Sequence, residues 1–174
     1  MILGTGGVAT WALQMAVAAG LEAIVTSSSD EKLETARSIG ASAVINYRRS
    51  PEWQQDVMRI TDGRGVDLVL EVGGEQTLRR SVAATMAGGK VVVIGGLSGF
   101  GAAGIEPHSL IGGAKTLTAV SVGSRRMLED LVDFVSRSGL KPIVAREFDF
   151  DQAEAAYDYL EEGRAFGKVV IRLS

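Results

Sequence analysis

Short apolar runs without polar alternation recur along the chain, and this pattern constrains the fold more than any other feature of the sequence. The predicted strands are residues 1–3, 23–26, 43–46, 67–71, 91–94 and 117–120. Strands that are apolar on both faces are expected where helices cover both sides of a parallel sheet. The sequence therefore predicts a doubly wound α/β fold, with a parallel sheet of about six strands and helices on both faces.

Helical segments lie between these strands, and a glycine follows closely after each. The predicted helices are residues 8–19, 30–39, 51–61, 76–86, 125–138 and 151–162. Glycine adopts the left-handed conformation that commonly ends a helix at lower cost than residues with a Cβ. The first strand is expected to be short, because only three residues precede Gly4.

Composition excludes several classes of protein. The chain has 174 residues, of which 46% are hydrophobic and 22% charged, as in one globular domain. A net charge of -3 without a Lys/Arg run argues against nucleic acid as a partner. With no cysteine and one histidine, His108, which we interpret as a surface residue in a loop, the chain lacks the usual metal ligands.

Neither a membrane span nor a secretory signal is predicted. The longest apolar stretch, residues 8–25, is interrupted by Thr10, Gln14 and Glu22. It falls short of the roughly 20 apolar residues that a membrane span needs. No charged segment precedes an apolar one with a small-residue cleavage site, so the expected location is cytoplasmic.

A glycine-rich turn, Gly4-Thr5-Gly6-Gly7-Val8-Ala9, joins the first strand to the first helix. This context makes the match to Gly-x-Gly-x-x-Gly/Ala informative. Gly4 permits a tight turn, Gly6 lets a pyrophosphate approach the backbone, and Ala9 allows close packing of the helix on the strand. The helix N-terminus favours an anion without any lysine. The motif predicts a Rossmann-like dinucleotide site, and a plain tight turn is the alternative.

The end of the second strand bears on the choice of cofactor. An acidic residue there would bind the adenosine ribose of NAD, but this chain has Ser27 and Ser28. Asp30 is better explained as a helix-start residue. Candidates for contact with a 2′-phosphate are Lys32, Tyr47, Arg48 and Arg49. The sequence therefore favours NADP(H) over NAD(H), and the alternative for Lys32 is an ordinary exposed helix lysine.

A set of short motifs extends along the whole chain. They are Gly4-Thr5-Gly6-Gly7-Val8, residues 26–33, Ile39-Gly40-Ala41, Val44-Ile45-Asn46-Tyr47, Gly65-Val66-Asp67, Val92-Val93-Ile94-Gly95 and residues 166–170. Together they resemble the cofactor domain of the medium-chain dehydrogenase/reductase superfamily, which includes zinc alcohol dehydrogenases and zinc-free quinone reductases. The resemblance implies hydride transfer between a nicotinamide cofactor and an alcohol, carbonyl or quinone-like substrate.

The resemblance also implies roles for individual residues. Gly6, Gly7 and Val8 would hold the pyrophosphate, and Ser27, Ser28, Lys32 and Tyr47 would surround the adenosine ribose. Positions beside the path from adenine to nicotinamide are Val72, Gly73, Ile94, Gly95 and Gly96. Val120 and Val122 match the segment that faces the carboxamide, and Lys168 matches a position that reaches toward the pyrophosphate. For the two valines, burial in the sheet core is the alternative.

Other features of the superfamily have no counterpart in these residues. Its GroES-like substrate domain precedes this region, so the chain alone is expected to be inactive, and zinc is expected only in that missing domain, if at all. We interpret the chain as a single dinucleotide-binding domain. Residues 1–123 form its core, and residues 124–174 return to pack against the missing domain. Arg125 and Arg126 could serve a phosphate, a substrate or that domain, or form a solvated helix end.

The resemblance further implies a homodimer that pairs through residues 116–120, an uncharged and β-prone run that would form an exposed edge. Three other functions are weighed against the oxidoreductase. A non-catalytic nucleotide-binding module would fit the isolated chain. A methyltransferase that uses S-adenosylmethionine usually has an acidic residue where this chain has Ser27 and Ser28. A short-chain dehydrogenase would carry Tyr-x-x-x-Lys, and Tyr157 and Tyr159 lack that lysine.

Overall fold

A parallel six-stranded sheet forms the centre of the computed structural model, which describes residues 1–101 and 104–173. Its strands are β1 (Ile2–Leu3), β2 (Ile24–Ser27), β3 (Ala43–Asn46), β4 (Val66–Glu71), β5 (Thr85–Val93) and β6 (Thr116–Ala119). They lie in the order β3-β2-β1-β4-β5-β6. The predicted Rossmann-like sheet is confirmed. The order reverses between β1 and β4, and in such sheets ligands bind at this switch point, outside the carboxyl ends of the strands.

Helices cover both faces of this sheet, as predicted. The helices are α1 (Gly7–Ala18), α2 (Asp30–Ile39), α3 (Trp53–Ile60), α4 (Leu78–Ala84), α5 (Pro107–Ile111), α6 (Arg125–Ser138) and α7 (Ala153–Glu161). Ile2 packs in one apolar cluster with residues of α1 and α2, whereas Leu3 packs in a second cluster with residues of α3 and α4. Successive side chains of a strand point to opposite faces, so both faces must be apolar.

A second sheet, which was not predicted, lies in the C-terminal part of the chain. It pairs β7 (Val144–Asp149) with β8 (Lys168–Arg172) in parallel. A single-turn 3₁₀ helix (Phe150–Gln152) and α7 connect them. Strands were predicted from runs that are apolar on both faces. β7 carries Arg146, Glu147 and Asp149, and among its residues only Phe148 is buried. A two-stranded sheet has two exposed edges and does not require apolar residues on both faces.

Some predicted boundaries were also wrong. The helix predicted for residues 76–86 ends at Ala84, and β5 starts at Thr85 rather than at residue 91. Its pairing with β4 is irregular, because the register shifts between Val66 and Leu68. The segment around His108 is the short helix α5 rather than a loop, although this side chain is 84% exposed, which agrees with a surface position. Within the two described ranges, no helix is both long and apolar enough to cross a membrane.

Candidate functional site

The glycine turn lies between β1 and α1, and two buried threonines hold it in place. Gly4 has a φ of +77°, which favours glycine, and its N–H donates to Thr26 Oγ1 over 3.3 Å. Thr10 Oγ1 donates to the carbonyl oxygens of Gly6 and Gly7, each over 3.2 Å. The first N–H groups of a helix lack intrahelical partners, so this turn presents donors and the positive helix end at the switch point.

A C-terminal segment closes on the glycine turn. Gly167 forms a parallel bridge with Gly6, and its N–H donates to the Thr5 carbonyl over 3.0 Å. The φ of Gly167 is +92°, and a Cβ there would lie 2.3 Å from the Ile143 carbonyl oxygen. Glycine is therefore required at this position, and it fixes where the next residue leaves the turn.

That next residue, Lys168, lies over Gly7. A Cβ added to Gly7 would lie 2.6 Å from Lys168 Cδ and 3.5 Å from its Nζ. The structure thus brings together two residues that the sequence assigned separately to the pyrophosphate. A flexible cation above the N-terminus of a 12-residue helix is an arrangement suited to an anion.

The serines at the end of β2 are held by local hydrogen bonds. Ser27 is buried, and its Oγ accepts from the Ser29 N–H over 3.3 Å. Ser29 in turn caps α2, since its Oγ accepts from the Lys32 N–H over 3.4 Å. Ser28, which is half-buried, lies between them. Tyr47 follows β3, and its N–H donates to the Ser27 carbonyl over 3.1 Å, so the structure brings these candidate ribose contacts to one place.

Asp30, the first acidic residue after β2, is bonded to Asn46 and Arg49. Asp30 is the first residue of α2, as expected, and accepts from Asn46 Nδ2 over 2.8 Å. It also pairs with Arg49, which leaves that arginine engaged with a carboxylate. No acidic side chain therefore ends β2 in the position that favours the ribose of NAD.

The Lys32 ammonium joins α2 to the C-terminal segment. Its Nζ donates to the Gly163 carbonyl and, over 2.9 Å, to the Ala165 carbonyl. Burial lowers the pKa of Lys32 below its ordinary value. The alternative of an ordinary exposed helix lysine is therefore wrong. Contact between Lys32 and a 2′-phosphate stays a prediction.

The loops after β4 and β5 are bonded to each other across the switch point. Leu97 N–H donates to the Val72 carbonyl over 3.0 Å. Ser98 Oγ donates to the Gly73 carbonyl over 2.7 Å. These bonds bring four candidate residues together at the carboxyl edge of the sheet. The four are Val72, Gly73, Gly95 and Gly96.

Val120 and Val122 lie beyond β6 and are not part of the sheet core. Val122 is 95% exposed, and Val120 is about half exposed. The alternative of core burial is therefore wrong for both. The φ of Val122 is +54°, which is strained for a β-branched residue, so its backbone is held in an unusual conformation at this edge.

Several residues that build this site were not predicted from the sequence. Thr10 and Thr26 support the glycine turn, and Glu71 and Thr77 organise the loop after β4. A polar side chain at the end of an otherwise apolar strand, as at Thr26 and Glu71, was the signal available. Gly167 carried a weaker signal, because its constraint comes from Ile143, which is distant in sequence.

The residues present do not fit a metal centre. The chain has no cysteine, and its one histidine is an exposed residue paired with Glu106. Within residues 1–101 and 104–173, no three His, Cys, Asp or Glu side chains are grouped so that they could hold a metal ion.

Comparisons with known proteins agree with this architecture. Residues 7–137 match the family described as zinc-binding dehydrogenase. A zinc-type alcohol dehydrogenase-like protein of Schizosaccharomyces pombe is 41% identical over 179 residues, which cover 99% of this chain and 51% of the relative. The crystal structure of an alcohol dehydrogenase-type protein from Sinorhizobium meliloti 1021 superposes with a TM-score of 0.89. Its sequence is 42% identical, and the match covers 99% of this chain and 50% of that one.

The structure of a mycobacterial protein complexed with NADPH is 25% identical with a TM-score of 0.84, and the match covers 99% of this chain and 57% of that one. The chain thus spans about half the length of each of these three relatives. These matches do not support the methyltransferase alternative. Because the family match covers most of the chain, the chain belongs to the zinc-binding dehydrogenase family, within the medium-chain dehydrogenase/reductase superfamily.

Proposed function

We propose that this chain is the NAD(P)(H)-binding domain of an alcohol dehydrogenase-like oxidoreductase. The observation that carries the proposal is the position of Lys168 over Gly7, at the N-terminus of α1 and at the switch point of the sheet. The N–H groups of the turn and the Lys168 ammonium would hold the pyrophosphate. The bound nicotinamide would supply or accept the hydride, and this chain would orient it toward an alcohol, carbonyl or quinone-like substrate.

We propose further that NADP(H) is favoured over NAD(H). The support is the pair of serines at the end of β2, the engagement of Asp30 by Asn46 and Arg49, and the nearby Lys32 cation. Asp30, the first acidic residue after these serines, is thereby paired with other side chains rather than left to repel a 2′-phosphate. The Lys32 ammonium has three N–H donors, of which two reach carbonyls of the chain, so one remains for a phosphate oxygen.

Calorimetric titration of the chain with NADPH and with NADH tests both proposals. We expect Lys168→Ala to weaken the binding of both nucleotides, because both carry a pyrophosphate. Lys32→Ala is expected to weaken NADPH binding more than NADH binding. Gly20→Ala, at the opposite end of α1, serves as a control that should leave both dissociation constants unchanged. If the unaltered chain binds neither nucleotide, the proposed function is wrong.

We propose that the active enzyme also contains a substrate-binding domain, against which residues 124–174 pack, while residues 1–123 form the core of the cofactor unit. The apolar side of α6 is exposed in this chain, as Met127, Leu128, Leu131 and Val132 show. Any zinc would lie in the substrate domain. Activity is expected only when this chain is joined to that domain. A joined protein that binds NADPH but reduces no carbonyl or quinone-like substrate would indicate a non-catalytic module instead.

We also propose a homodimer that pairs through β6 of each copy. The support is that β6 lies at the edge of the sheet and that, within residues 1–101 and 104–173, no strand pairs with its outer side. Sedimentation equilibrium should then give a dimer for the unaltered chain and a monomer for Leu117→Lys. The matched control is Val132→Lys, which places the same charge at an exposed apolar position on α6. A cytoplasmic location stays a prediction from the sequence.

A further inference from the structure

Glu71 ends β4 with a side chain that is fully buried, at 0% exposure. Among the described residues, no Lys or Arg forms an ion pair with it. A buried carboxylate without a cation is costly unless several hydrogen bonds replace its water. Because β4 pairs with β1, this carboxylate lies at the same edge of the sheet as the glycine turn.

Hydrogen bonds to the Glu71 carboxylate come mainly from the loop that follows it. The N–H groups of Gly73 and Gly74 donate to Oε1 over 2.6 and 3.1 Å. Thr77 Oγ1 donates to the same oxygen over 2.7 Å. On the other side, Ser81 Oγ in α4 donates to Oε2. The loop of residues 72–77 is therefore folded around one carboxylate oxygen.

The main chain of Glu71 reaches the neighbouring loop as well. Its carbonyl accepts from the Ile94 N–H over 2.7 Å, at the end of β5. The Gly73 carbonyl accepts from the N–H and the Oγ of Ser98, over 2.6 and 2.7 Å. A shift of Gly73 would therefore be transmitted to the loop of residues 94–99. Both loops contain candidate cofactor contacts.

We propose that Glu71 is a positioning residue for the dinucleotide. Its carboxylate holds Gly73 and Gly74, and through Gly73 it holds the loop of residues 94–99, so that both loops are shaped before the nucleotide binds. This inference rests on the proposed function. Glu71 would not itself touch the cofactor, but it would order the backbone of Gly73 and Gly74 beside the cofactor.

Two substitutions, one on each side of the carboxylate, distinguish an effect on the position of the loop from an effect on the stability of the fold. Replacement of Glu71 by Ala would leave the Gly73 and Gly74 N–H groups and the Ser81 hydroxyl without an acceptor in the interior, a loss large enough to prevent folding. Thr77→Val instead removes one donor on the loop side with little change in volume. Ser81→Ala removes one donor on the helix side. Both variants lose one hydrogen bond to the same carboxylate, so each is the stability control of the other.

The experiment measures two quantities on the 174-residue chain. Titration with NADPH gives the dissociation constant, and amide hydrogen exchange of the chain without nucleotide reports on Gly73 and Ser98. We expect Thr77→Val to weaken NADPH binding about fivefold, the equivalent of one net hydrogen bond, and to speed exchange at both amides. We expect Ser81→Ala to unfold at a similarly lowered denaturant concentration but to keep the dissociation constant within about twofold.

The outcomes are distinguishable. Unchanged exchange at Gly73 and Ser98 in Thr77→Val overturns the inference whether or not the chain binds nucleotide. Faster exchange with an unchanged dissociation constant shows that the carboxylate has only a structural role. Equal weakening of NADPH binding by Thr77→Val and Ser81→Ala would also show that the carboxylate has only a structural role. If the unaltered chain binds neither NADPH nor NADH, the proposed function fails and this inference fails with it.

Discussion

Replacement of Gly7 by Ala should displace Lys168 and so reproduce the loss of its ammonium. The added Cβ would lie 2.6 Å from Lys168 Cδ, whereas ordinary contact begins at 3.4 Å. The lysine side chain must therefore move by about 0.8 Å at Cδ, the difference between these two distances. It can do so, because Lys168 is exposed and flexible. Gly7 does not have a positive φ, so the backbone accepts alanine there without strain.

The expected size of the effect follows from the exposure of the lysine. Hydrogen bonds to charged groups contribute about 1.5 to 3 kcal/mol, and exposure reduces this value. We therefore expect about 1.4 kcal/mol, or about tenfold weaker NADPH binding, for Lys168→Ala. Gly7→Ala should give the same factor. Unfolding stability should change by no more than about 1 kcal/mol, because alanine is also the better helix residue.

A double-mutant cycle measured by calorimetric titration tests whether both substitutions act through the Lys168 ammonium. If Gly7→Ala acts by moving the ammonium, the double variant should bind NADPH about tenfold more weakly than the unaltered chain, and no more weakly than either single variant. A double variant that binds NADPH about a hundredfold more weakly would contradict a shared effect on the ammonium. It would show that the Cβ obstructs the nucleotide independently of Lys168.

Three further predictions concern stability. Gly167→Ala should lower the free energy of unfolding by about 3 kcal/mol or more in urea titration, because its Cβ would lie 2.3 Å from the Ile143 carbonyl oxygen at a φ of +92°. Val122→Gly should raise the thermal midpoint slightly, since glycine removes about 1 kcal/mol of left-handed strain, partly offset by its greater freedom in the unfolded chain; a lowered midpoint would contradict the strain. Leu128→Lys, on the exposed side of α6, should change the unfolding free energy by no more than about 0.5 kcal/mol, and a larger loss would show that α6 packs against the rest of this chain.

The central sheet could be predicted because its signals are local. The apolar runs of β2 and β3 place the strands within one residue of their observed bounds, and α2 begins and ends at the predicted residues. Gly139, with a φ of +64°, ends α6 where its sequence indicated. Each of these features depends on residues that lie within a few positions of one another, so the sequence itself contains the cause.

The second sheet could not be predicted in the same way. β7 has few buried side chains, and its pairing with β8 joins segments separated by α7. Such a strand is stabilised by its neighbour rather than by an apolar pattern of its own. The contacts of Lys32 could not be predicted for a related reason. Its acceptors are backbone carbonyls at Gly163 and Ala165, and carbonyls carry no sequence signal.

The candidate site combines both kinds of information. The resemblance assigned both the glycine turn and Lys168 to the pyrophosphate, but neither segment by itself shows what brings them together. Their contact depends on Gly167, whose N–H donates to the Thr5 carbonyl and whose missing Cβ admits the Ile143 carbonyl. Any other residue at 167 would push the chain away from the turn and carry Lys168 with it. The geometry of the site is therefore determined by a glycine that touches no proposed ligand, because it sets the one path along which the cation reaches the helix N-terminus.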